Sequence, residues 1–115
     1  MNDVNKLLNK HCVPCKLGTS SLTQDVINTL IKQLENWVLY GRLIERTFEF
    51  KNYYQTIAFV NAVAWISHQE DHHPYLNVSY NKCHIQYFTH SIDGLSENDF
   101  ICAAKMDALI ASKNL

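Results

Sequence analysis

Glycine and proline are scarce, three and two among 115 residues, while 47% of the chain is hydrophobic and 11% aromatic. That balance is ordinary for one small globular domain with its own core. Basic residues are few and scattered: ten Lys and Arg against eleven Asp and Glu give a net charge of −1. Without a basic cluster there is no electrostatic footprint for phosphate backbones or anionic lipid, which argues against direct nucleic-acid binding and against a membrane surface. No apolar run approaches the roughly 20 residues of a membrane span. The polar start Met1-Asn2-Asp3-Val4-Asn5-Lys6 lacks the apolar stretch of a signal peptide. The expectation is a cytoplasmic protein whose four cysteines are reduced thiols.

Residues 1–21 show no sustained apolar period and hold Pro14, Gly18 and Thr19-Ser20-Ser21, so they read as an irregular N-terminal arm before a single domain over 22–115. From Thr23, a plausible N-cap, Val26, Ile27, Leu30, Ile31, Leu34, Trp37 and Val38 recur at helical spacing. Gly41 breaks the pattern between a short strand at 38–40 and a strand over 43–50. A second, broadly buried helix is expected from Tyr53 to about Asp71, ended by Pro74. Strands follow at 77–80 and 82–89, the latter with Cys83, Ile85, Tyr87 and Thr89 on one side and His84 and His90 on the other. A third helix starts at Ser96, with Phe100, Ile101, Ala104, Ala108 and Leu109 inward. The order α-β-β-α-β-β-α predicts an α+β fold, a four-stranded mainly antiparallel sheet with helices packed on one face.

The chemistry concentrates in Asp71-His72-His73-Pro74, then Thr89-His90, then Gly94-Leu95-Ser96 and Asp99. Histidine is the side chain that titrates near neutral pH, so a few imidazoles brought together by folding can both give and take protons. His72 lies where a helix C-terminus favours a positive charge, and His73 beside it disfavours a second one. Asp99, three residues after Ser96, reads equally well as a capping carboxylate or as a supporting catalytic group.

His68, three residues, His72-His73-Pro74, five residues, Tyr80, nine residues, His90, eight residues and Asp99 together resemble the signature of the pterin-4a-carbinolamine dehydratases. The likeness runs from Leu22 to Ala111 and includes Trp37, Phe48-Glu49-Phe50-Lys51, Val63-Ala64 and Tyr80-Asn81. It implies dehydration of 4a-hydroxytetrahydropterin to the quinonoid dihydropterin, which recycles the cofactor of an aromatic amino acid hydroxylase, with no cofactor or metal of its own. It also implies that His72, His73 and His90 are catalytic, with His68 and Asp99 in support. The pterin would be held by His72 to Pro74 and by Thr89, His90, Ser91 and Ile92, in a homodimer or homotetramer. Many relatives carry glutamate where this chain has His68, which makes the pH optimum a separate question.

Other readings compete. His68 and His72 at helical spacing with His90 could form a three-histidine metal site, and Cys12-Val13-Pro14-Cys15 behind His11 offers a second ligand cluster without the second cysteine pair a zinc ribbon needs. His84, Tyr80 and Asn81 read as structural. A protein-binding dimerisation module, like animal relatives that bind a homeodomain transcription factor, and an enzyme of molybdopterin metabolism are the functional alternatives.

Overall fold

The computed structural model describes residues 6–16 and 18–111. Residues 1–5 and 17 of the expected arm, and 112–115 at the end of the expected domain, lie outside them.

Helix α1 (Gln24–Ile31) starts where predicted: Thr23 is extended and its side chain accepts the Val26 N–H. It ends earlier than the apolar period suggested. Trp37 and Val38 are not helical, because the chain after Ile31 is captured by the third helix. Asp107 accepts the Glu35 N–H at 3.0 Å and the Trp37 indole N–H at 2.7 Å, and Asn36 turns the chain with φ 62°. Trp37 is thereby buried just ahead of strand β1 (Val38–Tyr40).

β1 pairs antiparallel with β2 (Leu43–Glu49) across Gly41-Arg42, and Gly41 takes the φ of 60° that such a two-residue turn requires. Helix α2 (Tyr53–Glu70) is capped by Asn52, whose side chain accepts the Gln55 N–H. It is less buried than expected: Thr56, Phe59 and Val63 face the core, whereas Ala64 and Trp65 face outward. Strand β3 (Tyr75–Val78) starts directly after Pro74 and sits two residues earlier than predicted. Tyr80 lies instead in the turn before β4 (Lys82–Tyr87), where the Thr56 hydroxyl donates to its carbonyl.

The sheet order is β1-β2-β4-β3, antiparallel throughout. Ile44, Phe48, Cys83, Ile85 and Tyr87 are buried on the face covered by the helices, and Glu45, Thr47, His84 and Gln86 lie on the other. This is the α+β architecture expected. Helix α3 (Glu97–Ala111) buries Phe100, Ile101, Ala103 and Met106 against that face. Arg46, the one charged residue on the inner side of β2, reaches Asp107 of α3 at 2.7 Å and lies over the Phe48 ring.

The arm departs from an irregular tail. Leu7–Asn9 form a 3₁₀ turn, and Leu7 is 1% exposed, as buried as the core residues of the sheet. Its N–H donates to Gln33 Oε1, and the Lys105 ammonium donates to the Leu8 carbonyl. The far end of the arm is also fitted: the Leu22 N–H donates to the Leu95 carbonyl, and a Cβ on Gly94 would stand 2.7 Å from Ser21 Cβ.

Candidate active site

Helix α2 stops at Glu70 because Asp71 adopts the left-handed conformation (φ 52°, ψ 44°), and the N–H groups of Asp71 and His72 return to the carbonyls of His68 and Ser67. The stop precedes Pro74 by three residues. The turn carries the His72 ring inward, where it stacks on Tyr87 with centroids 5.6 Å apart and planes 11° apart. Its Nε2 lies 2.7 Å from Asp99 Oδ1.

Asp99 is fully buried in the first turn of α3. Its second oxygen accepts the Ser96 N–H at 3.0 Å and the Thr89 hydroxyl at 2.7 Å. Each hydroxyl has one hydrogen, so with Thr89 donating to the carboxylate, the Ser96 hydroxyl 2.8 Å away donates to Thr89. Asp99 thus divides its oxygens: one accepts the Ser96 N–H at the start of α3 and the other holds His72. Burial works against the charged form of His72, but the hydrogen bond and negative charge of Asp99 outweigh it and raise the imidazole pKa above its ordinary value.

Strand β4 ends at Tyr87, so the in-out alternation does not extend to His90. Thr89 forms an isolated antiparallel bridge with Gly94, and a 3₁₀ turn, His90–Ile92, fills the loop between them. His90 is exposed, with Nε2 2.6 Å from the Tyr75 hydroxyl and its ring edge-on to Phe88. His73 is exposed and Pro74 partly buried.

A cavity of about 330 Å³ is lined by His72, Thr89 and Ser91 together with Asn98, the Gln69–Asp71 turn and the arm residues 12–15. His73, Pro74, His90 and Ile92 do not line it. His68 is turned elsewhere: exposed, with its ring tilted against Trp65 at 5.6 Å, it lines a separate, larger cavity with Leu8 and Lys105. The His68–His72 pair of the metal reading is therefore not formed. That pair needed helical spacing through residue 72, and the helix ends at Glu70 with His72 committed to Asp99. Among the described residues, no three His, Cys, Asp or Glu are placed to share a metal ion.

Three features were not read from sequence. Tyr87 was assigned to the buried side of β4, but its place under His72 depends on how α2 crosses the sheet. Tyr75 as partner of His90 follows from β3 starting at residue 75. The arm as a cavity wall left no periodic signal.

The family model described as pterin 4 alpha carbinolamine dehydratase matches residues 20–109. The chain belongs to this family. A protein of Nitrosospira multiformis, provisionally named a pterin-4-alpha-carbinolamine dehydratase, is 58% identical over 92% of this chain and 94% of its own length. One of Nitrosomonas eutropha with the same provisional name is 57% identical over 97% of this chain and its own full length. Among solved structures, a transcriptional coactivator/pterin dehydratase from Brucella melitensis superposes with a TM-score of 0.75 at 30% identity, covering 78% of this chain and 98% of that one. A pterin dehydratase-like protein identified as a RuBisCO assembly factor of the alpha-carboxysome gives 0.57 at 28% identity, over 65% and 89%. The dehydratase family match includes His72, His73, His90 and Asp99 and leaves the arm residues 11–15 outside.

Proposed function

We propose that this chain catalyses the dehydration of a 4a-hydroxytetrahydropterin to the quinonoid dihydropterin, with His72 as acid and His90 as base. The observation that carries the reading is His72 in the cavity wall, held 2.7 Å from the fully buried Asp99 carboxylate. In the reaction the C4a–O bond breaks as an acid protonates the departing oxygen, which leaves as water. A base takes the proton from N5, and the electron pair forms the C4a=N5 bond, so no redox partner is needed. His72, held protonated by Asp99 through Nε2, presents Nδ1 as the proton donor. His90 has Tyr75 rather than a carboxylate against it and serves as the base once the pterin is bound. The exposed His73 orients the ring at the surface beside the cavity, where the pterin rests on His72 to Pro74 and Thr89 to Ile92, with Asp99 as positioning residue. His68 lies outside this set.

The elimination is complete without a metal or cofactor, so activity should survive exhaustive chelation. The site of action is the cytoplasm, beside a hydroxylase whose spent pterin is regenerated. A homodimer or homotetramer suits the two edge strands, where Val38, Tyr40, Tyr75 and Leu76 are exposed.

The alternative is a protein-binding role, in line with the transcriptional coactivator and the RuBisCO assembly factor among the structural neighbours. It is favoured by the exposed aromatics of α2, with Tyr54 83% and Trp65 61% accessible. Stopped-flow absorbance with a synthetic 4a-hydroxytetrahydropterin separates the readings. Dehydration well above the uncatalysed rate supports the enzyme. A rate equal to the uncatalysed one would leave the binding role, and dehydration slow on a biopterin substrate but fast on a molybdopterin-type one would redirect the substrate.

A further inference from the structure

The arm wall of the cavity is fastened at points next to the proposed catalytic residues. Glu70, two residues before His72, accepts the Cys12 N–H at 2.7 Å and pairs with His11 at 2.9 Å. Asn98, next to Asp99, exchanges two hydrogen bonds with the Val13 backbone. Ser91, next to His90, donates to the Cys15 carbonyl. This docking brings Cys12 Sγ to 3.5 Å from Cys102 Sγ, although the two lie 90 residues apart in sequence. Cys12 is half-buried and lines the cavity, so a small oxidant can reach it, whereas Cys102 is fully buried in α3. The other thiols are placed differently: Cys15 faces the Asn98 amide at 3.5 Å, and Cys83 is buried within β4.

We propose that Cys12 and Cys102 form a redox-operated clasp, in which a hydroperoxide converts the two thiols to a disulfide that fixes the arm across the cavity. The Cys12 sulfur attacks one peroxide oxygen as its proton passes to the departing one, giving a sulfenic acid and releasing the alcohol, or water from hydrogen peroxide. Cys102 then attacks the Cys12 sulfur and expels hydroxide, which leaves as water with the Cys102 proton. Two electrons pass from the thiols to the peroxide, and a dithiol reductant restores them. Closing 3.5 Å to a bond of about 2 Å needs only a small movement of the arm, the exposed partner. The proton of the pair stays on Cys12, whose pKa is raised by its hydrogen bond to Cys102 and by burial, while that bond and the charge of His72 lower the Cys102 pKa. Access selects Cys12 for the first step, and ionisation suits Cys102 to the second. The clasp uses no pterin and stands apart from the catalytic reading.

The test treats the full chain with one equivalent of hydrogen peroxide under native conditions, alkylates it in denaturant, and maps peptides without reduction. The expected result is a loss of two hydrogens in the intact mass, a Cys12–Cys102 linked peptide, and alkylated Cys15 and Cys83. Cys12→Ser should abolish the link and Cys83→Ser should leave it, with circular dichroism confirming that both fold. Amide exchange over residues 11–16 should slow on oxidation and recover with dithiothreitol. A Cys12–Cys15 link, a link only between chains, or an overoxidised Cys12 with Cys102 still alkylatable would each overturn the clasp.

Discussion

Asp99 divides its oxygens between two tasks, and the division makes one residue answerable for both the geometry and the charge of His72. Asparagine in its place keeps the size and an acceptor but removes the charge that outweighs the burial of the imidazole. Asp99→Asn should therefore lower the His72 pKa, move the alkaline limb of the pH–rate profile to lower pH, and cost about 10²-fold in rate above that limb. An unmoved limb in a folded variant would sever Asp99 from the titration of His72. His68→Gln should leave the limb where it is, because His68 sits by Trp65 in another cavity. The spacing of His72, His90 and Asp99 was legible because a turn and a helix start keep chemistry at fixed chain positions. Tyr75 and Tyr87 were not, because each meets its histidine through sheet register rather than along the chain.

At the scale of elements, periodicity found each helix and strand but misplaced several ends. Trp37 and Val38 continue the apolar period of α1 in sequence, yet Asp107, 70 positions after Trp37, binds the chain there and stops the helix. Long-range capture of this kind leaves no local mark. The ends of α2 and of the His90–Ile92 turn show the same limit: Asp71 and Asp93 take left-handed conformations at φ 52° and 50° that only the finished packing requires. The arm is the largest departure, since a short 3₁₀ turn has too few residues for a period. Leu7 is nonetheless a core residue, and Leu7→Ala should cost about 2–4 kcal/mol in chemical denaturation. A change below about 0.5 kcal/mol, the range of surface substitutions, would mean that the arm is not part of the folded unit.

For the whole molecule, two ion pairs set opposite pH dependences. The His72 pKa is raised on folding, so the pair with Asp99 contributes fully below the unfolded value of 6.5 and is lost as pH rises through the folded one. The stability gap between wild type and Asp99→Asn should therefore shrink as pH rises above 6.5. Glu70 is the reverse case. Burial works against its charge, but the bonds from the Cys12 N–H and His11 and the charge of Lys105 prevail and lower its pKa below 4.5. Its contribution is present above that value and lost as pH falls through the lowered one, so the gap to Glu70→Gln should close in acid. Gaps that stay constant with pH would refute these couplings.

The central claim is proton transfer by His72 and His90 on a pterin carbinolamine. It is tested most directly by single-turnover stopped-flow dehydration of synthetic 4a-hydroxytetrahydropterin by wild type, His72→Ala and His90→Ala, each checked by circular dichroism. The account predicts a fast wild-type reaction and a loss of about 10²-fold or more in each variant with the fold intact. Near-wild-type rates in both folded variants would contradict it.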